Sequence, residues 1–184
     1  SEENKLIVKY NGNAEIDDLK TVKGKDADGN DAQIVISRTA EIKVIDKKTK
    51  NVLSTNNIPY GSSIFIKNGD KVSKDDLVCT WDPFNGVIVS EFSGKVEFEN
   101  IEQGETYQVE IDEQTGFQEK VISETRNKKL IPTLLINDTK GNLLRSYNLP
   151  VGAHLIVDDG VKIKEGQVLV KIPRKSAKSG DITG

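Results

Sequence analysis

The chain has 184 residues, with 26 basic against 29 acidic side chains and a formal net charge of −3, which excludes strong phosphate-backbone binding by this chain alone, because that draws on clustered Lys and Arg. One cysteine rules out an internal disulfide and fits a reducing compartment, and no apolar run approaches the roughly eighteen residues of a membrane span. The length accommodates two compact units and no third.

In chain order, Ser1 to Lys5 is polar, reads as a frayed end and carries no secretion signal. Leu6, Val8 and Tyr10 alternate and predict a strand with one inward face, followed by the turn signal Asn11-Gly12. An acidic loop, Asp26 to Asp31, leads into the strand Gln33 to Ser37, and Glu41 to Ile45 is another. A turn over Asp46 to Asn51 then delivers the segment Ile58 to Trp81, IPYGSSIFIKNGDKVSKDDLVCTW. Pro59 cannot donate a ladder hydrogen bond, so it belongs at a strand start or an edge. Gly61 and Gly69 bracket a strand predicted to be apolar on both faces at Ile64, Phe65 and Ile66. Val72 is predicted to point inward, and Leu77, Cys79 and Trp81 alternate along the next strand.

Asp82-Pro83 closes this first series of strands, and Phe84 to Phe92 reads as a connector carrying apolar Val87 and Val89. Ser93-Gly94 reopens the pattern, with strands at Tyr107 to Ile111, Lys120 to Ser123 and Pro132 to Asn137, and a turn at Asp112 to Gly116. Arg126 to Lys129 is basic and ambiguous between helix and turn. After Pro173 the composition shifts to RKSAKSGDITG, too polar and flexible for a core. No apolar stripe of helical period outlasts two turns, and short strands separated by Gly, Asn and Asp turns predict an all-β fold with little helix.

The segment Ile58 to Trp81 recurs. Leu149 to Ile172, LPVGAHLIVDDGVKIKEGQVLVKI, overlays it without a gap at an offset of 91, placing Pro59 on Pro150, Gly61 on Gly152 and Gly69 on Gly160. All ten apolar positions of the first copy, proline aside, meet an apolar residue in the second. Two tandem copies of one β-rich unit follow. Gly166 supplies a turn where the first copy uses Asp75. Upstream, Asp46 to Asn51 aligns with Asp138 to Asn142, Gly29 with Gly116, Ile34–Ser37 with Lys120–Ser123, and Leu6–Tyr10 with Lys95–Phe98. The domain reading is therefore a first unit over 1–83, a connector over 84–93, a second unit over 94–174 and a flexible tail over 175–184. Units of about 80 residues bury roughly 60% of their unfolded surface and fold with modest stability.

Single residues that invite a chemical reading have plainer rivals. Asp26, Asp28 and Asp31 offer oxygen ligands to calcium, but an EF-hand loop needs Gly at its sixth position and Glu at its twelfth, and here Gly29 is fourth and Ser37 twelfth. A solvated hairpin turn is the better reading. His154, the only histidine, has no zinc-like spacing to Cys79, which reads as a small core hydrophobe. No Ser, Cys or Thr stands in a recognised motif with a base, so no nucleophile is assigned. Lys171, Arg174, Lys175 and Lys178 read as a solvated tail, with a contact to nucleic acid or an acidic surface as the rival. Trp81 reads as a core plug.

The residues Ile58 to Gly61 (IPYG), Trp81-Asp82-Pro83 followed by VIVSEFSGKVEF, Asp112 to Gly116 (DEQTG) and the tail KIPRKSAKSGDITG carry a resemblance. Together they resemble the large insertion within the trigger loop of the β′ subunit of some bacterial RNA polymerases, which in that family is a tandem pair of sandwich-barrel hybrid units. The acidic Asp26–Asp31 loop departs from the family pattern. The resemblance implies that Ser1 at one end and Asp181, Ile182, Thr183 and Gly184 at the other tether the chain to the trigger loop. It implies that Pro59, Gly61, Gly69, Pro150, Gly152 and Gly160 are structural residues that define the repeat. No position matches the catalytic aspartate triad or the trigger helices, so no catalytic, cofactor or metal residue is expected here, and magnesium and zinc would be held elsewhere in the parent enzyme. The implied role is modulation of trigger-loop movement during elongation, pausing and cleavage. The implied partners are other polymerase regions and subunits and transcription elongation factors, with no membrane, in the cytoplasmic, nucleoid-associated transcription complex; the fragment itself is expected to be monomeric.

A rival of another class is a biotinyl or lipoyl carrier, also a small barrel-sandwich hybrid. A carrier needs a lysine at a tight hairpin tip, whereas the corresponding strands here end in TWDPF and KIPRKS, so kinship of fold does not bring that function. A free-standing protein-interaction module is the third reading.

Overall fold

The computed structural model describes residues 4–174. They form eighteen strands and no helix, and the chain divides after Pro83 into two units.

Unit 1 contains β1 (Lys5–Ile7), β2 (Gly12–Asp17), β3 (Thr21–Lys25), β4 (Asp31–Val35), β5 (Glu41–Ile45), β6 (Val52–Asn57), β7 (Ser63–Ile64), β8 (Lys71–Val72) and β9 (Leu77–Thr80). Unit 2 repeats them as β10 (Asn85–Val89), β11 (Gly94–Glu99), β12 (Tyr107–Ile111), β13 (Gln118–Ile122), β14 (Thr133–Asn137), β15 (Leu143–Asn148), β16 (His154–Leu155), β17 (Lys162–Ile163) and β18 (Val168–Pro173). Each unit is two antiparallel sheets. In unit 1 their strand orders are β1-β9-β7-β4-β3 and β6-β5-β2-β8; in unit 2 they are β10-β18-β16-β13-β12 and β15-β14-β11-β17.

Alternation along these strands sends one side chain in two inward. In unit 1 the core draws Val35, Ile64, Val78 and Cys79 from the first sheet and Ala14, Ile16, Ile42, Val44 and Val72 from the second. In unit 2, Ile122, Leu155, Leu169 and Val170 meet Val96, Leu134, Ile136 and Ile163 in the same way. Leu134, Ile136, Leu169 and Val170 are fully buried.

The repeat holds at the level of single hydrogen bonds. The Gly61 amide donates to the Val35 carbonyl and the Gly152 amide to Ile122, at 2.7 and 2.8 Å. Gly69 donates to Ala14 and Gly160 to Val96, both at 2.8 Å. The amide of Ser62 reaches Pro59 O, and that of Ala153 reaches Pro150 O, both at 3.2 Å. Asp75 donates to Val8 and Gly166 to Ser90, both at 2.7 Å. Asp75 and Gly166 share a left-handed backbone, with φ of 77° and 81°. The chain therefore turns in the same places in both units.

Several expectations are corrected. Residues 84–93 are no connector: β10 pairs along β18 from Asn85↔Pro173 to Val89↔Val168, and Ile88, Val89 and Ser90 are buried. Turn signals at Pro83 and Ser93-Gly94 made this first strand of unit 2 look like a linker. Its counterpart is β1, which pairs with β9, so Leu6–Tyr10 answers to Ile88–Phe92. Lys95–Phe98 lies in β11 and answers to β2 instead, since β2 joins β5 and β8 as β11 joins β14 and β17. The run Ile34–Ser37 is one residue out of step: Gln33 faces Ile64 as Lys120 faces Leu155. Phe65 is not buried; it is 48% exposed beyond a strand only two residues long. Leu77 is also exposed, at the sheet face where it meets Ile7. Arg126–Lys129 forms no helix. Lys171 belongs to β18, opposite Val87 and His154, and is not part of a tail.

Candidate functional site

The residues first considered for chemistry are occupied structurally. Cys79 is fully buried in β9, and burial pushes its thiol up to about 11, against smaller opposing contributions from the Ser62 hydroxyl and the Leu6 backbone. It stays protonated near neutral pH, which is the wrong state for a nucleophile or a ligand. His154 Nδ1 lies 2.7 Å from a Glu119 carboxylate oxygen. In the acidic loop, one oxygen of Asp26 accepts the amides of Asp28 and Asn30, both at 2.9 Å, and Asp31 pairs with Lys25. That hydrogen bond to the Lys25 ammonium holds the Asp31 carboxyl below the ordinary range. The loop is the tip of the β3–β4 hairpin, with Gly29 at φ +82°. Among the described residues no group of three or more His, Cys, Asp or Glu is placed to hold a metal. Trp81 packs partly buried against the unit 1 core. Ser1, Lys175, Lys178, Asp181, Ile182, Thr183 and Gly184 lie outside the described residues.

What distinguishes the surface is a difference between equivalent hairpins. β3–β4 and β12–β13 each end a five-stranded sheet, and β3 and β12 are its edge strands. Register sets Thr21, Lys23 and Lys25 in the places of Tyr107, Val109 and Ile111. Tyr107, Val109 and Ile111 share one face of β12 with Ile122, Lys120 and Gln118 opposite. Tyr107 packs against the unit 2 core. The Lys120 ammonium sits 5.7 Å from its ring, 5.6 Å from that of Phe98 and 3.7 Å from Asp158. Beyond that point the apolar face runs out into solvent at Ile111, which is 65% exposed; Phe117, 72% exposed at the tip, stands across from Asp112 on the opposite face. On the other face Glu110 stands directly across from Glu119, where unit 1 has Gly24 and Ala32. The sequence predicts a strand over Tyr107 to Ile111 and nothing of its exposure. Aligning the hairpins by their pairing partners is what exposes the substitution of Val109 and Ile111 for lysines.

Comparison with known proteins settles the parentage. No protein-family model matches the chain. Over all 184 residues it is 64% identical to the DNA-directed RNA polymerase β′ subunits of Flavobacterium johnsoniae and Flavobacterium psychrophilum. It is 51% identical over 183 residues to the β′ subunit of Parabacteroides distasonis. This chain belongs to the β′ family. It spans 13% of the length of those curated β′ relatives, so it corresponds to a segment of a β′ subunit. Its all-β units and tandem repeat are properties of that β′ segment.

Proposed function

We propose that this β′ segment is a non-catalytic insertion, built as two sandwich-barrel hybrid units, that modulates trigger-loop movement during RNA synthesis. The supporting observation is the match of the whole chain to part of a polymerase subunit. Nucleotide transfer then belongs to the assembled enzyme, in the cytoplasm, and no chemical step is routed through this segment. Two folded units tethered to a mobile loop must move when that loop folds or opens. Contacts made in only one of the two states bias the loop, and a bias of about 1.4 kcal/mol changes the closed-to-open ratio about tenfold. Other polymerase regions and subunits, and elongation factors that reach them, are the partners through which such a bias would be set.

The test is a polymerase lacking residues 1–184 with the flanking chain rejoined. It is expected to synthesise RNA with an altered pattern of pausing, read from transcript ladders over time. Complete loss of nucleotide addition, or pausing identical to that of the intact enzyme, overturns the proposal.

A further inference from the structure

Resting on that reading, we infer that the β12–β13 hairpin is a docking edge of this segment, and that its occupant is a basic stretch of the same β′ polypeptide outside residues 1–184. Three observations carry this. The first is apolar exposure at the hairpin's far end, at Val109 and Ile111 on the edge strand β12 and at Phe117 in the turn that follows it; β12 has β13 on one side and, among the described residues, no strand on the other. Such an edge invites a further chain to pair along it.

The second is charge. Residues 107–119 carry Glu110, Asp112, Glu113 and Glu119 and neither Lys nor Arg; the hairpin's one lysine, Lys120 opposite Val109, is paired with Asp158. Glu110 and Glu119 face each other across the ladder, an arrangement that costs stability unless a cation lies over it; among the described residues His154 touches the pair, through Glu119. A second copy of the hairpin would add carboxylates to carboxylates, and a nucleic acid would add phosphates, so both are disfavoured. A Lys- or Arg-bearing segment is favoured.

The third is size. Three apolar side chains fall well short of the roughly 1,000 Å² that a free-standing specific interface needs. A partner held on the same polypeptide needs less, because tethering supplies a high effective concentration, and the greater part of the β′ length lies outside this chain.

The assembled polymerase is prepared with a photoreactive phenylalanine analogue in place of Ile111 and, separately, of Phe117; the same analogue in place of Lys25, the corresponding position of unit 1, serves as control. Irradiation is expected to crosslink positions 111 and 117 to a β′ peptide rich in Lys or Arg, identified by mass spectrometry. Yield should fall about fivefold from low to high salt as the charges are screened, and position 25 should not reach that peptide. Reversing charge with Glu110→Lys and Glu113→Lys, both away from the core, is expected to reduce the crosslink by a similar factor. Crosslinks to another subunit, to nucleic acid or to a second polymerase, no crosslink at all, or a yield indifferent to salt and charge reversal overturn the inference. Altered pausing on deletion of residues 1–184, combined with no crosslink, removes the docking edge and leaves the proposed function standing.

Discussion

Unit 1 and unit 2 have the same backbone and different surfaces, and the contrast separates what the fold requires from what each copy has been free to change. Residues at turns and close approaches are matched closely. Asn11 Oδ1 accepts the Lys74 amide at 2.8 Å, and Ser93 Oγ accepts the Glu165 amide at 3.0 Å. Asn68 Oδ1 accepts the Ile16 amide, and Asp159 Oδ1 that of Phe98, both at 2.9 Å. The side chains have changed identity and kept the acceptor. At the outer hairpin the turn keeps its acceptor too, Asp26 Oδ1 taking the Asp28 amide and Asp112 Oδ1 that of Gln114, but the strand faces are not preserved: lysines in one copy are Val109 and Ile111 in the other, and Gly24-Ala32 has become Glu110-Glu119. Positions whose side chains accept a backbone amide at a turn are constrained because an unmade hydrogen bond is costly. Positions on a solvated edge are free to change, and what stands out there is only that the change is from lysine to exposed apolar side chains at Val109 and Ile111.

The sharpest way to break the comparison is at Gly12 and Gly94, which open β2 and β11. A Cβ added at Gly94 would lie 2.4 Å from the Asn137 carbonyl oxygen, and one at Gly12 would lie 2.5 Å from that of Ile45. Both obstacles are backbone in the neighbouring strand and cannot swing aside. Gly12→Ala and Gly94→Ala are each expected to destabilise by roughly 2–3 kcal/mol, a fall on the order of 10 °C in Tm for a unit this size, measured by thermal and urea unfolding of the chain. Gly86→Ala is the control, because its Cβ would meet Ile172 O at an ordinary 3.7 Å; its effect should stay within about 0.5 kcal/mol.

A smaller effect is expected where the two copies solve one turn differently. Asp75 occupies a left-handed conformation that Gly166 occupies in unit 2, and a residue with a Cβ pays about 1 kcal/mol there. Gly166→Asp should therefore destabilise by about 1 kcal/mol. The reverse change, Asp75→Gly, should be neutral or stabilising by less than that, since relief of strain is partly offset by the extra freedom of unfolded glycine. Equal destabilisation by both exchanges in urea unfolding would refute the equivalence of the two turns.

How much was legible beforehand follows the same division. From Ile58 onward the register could be read because proline and glycine recur at one fixed offset, and the chain has those residues where it must turn. Upstream the offset changes, because the connection from β11 to β12 is longer than that from β2 to β3. Unit 2 fills the difference with a loop in which the buried Thr106 hydroxyl donates to Asn100 O at 2.7 Å and accepts the Glu102 amide at 2.8 Å. A gapless reading cannot follow such an insertion, so β1 was matched to the wrong strand and β10 was taken for a connector. Phe65 was misplaced because apolar character was read as burial. The hairpin edge was invisible because Tyr107, Val109 and Ile111 alternate as any half-buried strand does; only the pairing partners show that the face extends past the core that should cover it.

The finest comparison lies in the turns before β6 and β15. In unit 1 Asp46 Oδ1 accepts the amides of Lys48 and Thr49, at 2.8 and 2.9 Å; in unit 2 Asp138 Oδ1 accepts those of Lys140 and Asn142, at 2.9 and 2.8 Å. Both carboxyls are held below their ordinary value of 3.8, Asp46 chiefly by the Thr49 amide and Asp138 chiefly by the Asn142 amide. A group whose folded value is depressed takes up its proton more readily in the unfolded chain. Its contribution is therefore complete above the unfolded value and is lost as pH falls through the folded one. Stability of the chain should decline on acidification below about pH 4, and Asp46→Asn with Asp138→Asn should flatten that decline, because asparagine keeps an acceptor that does not titrate. A side chain adds to the effect in each turn, Thr49 at Asp46 and Asn142 at Asp138, the latter reaching the second carboxylate oxygen at 3.3 Å. Each single variant should therefore remove part of the acid sensitivity. Acid titration of urea midpoints for both variants checks this, and an unchanged slope in both would mean that these turns, alike as they are, do not contribute to the pH dependence at all.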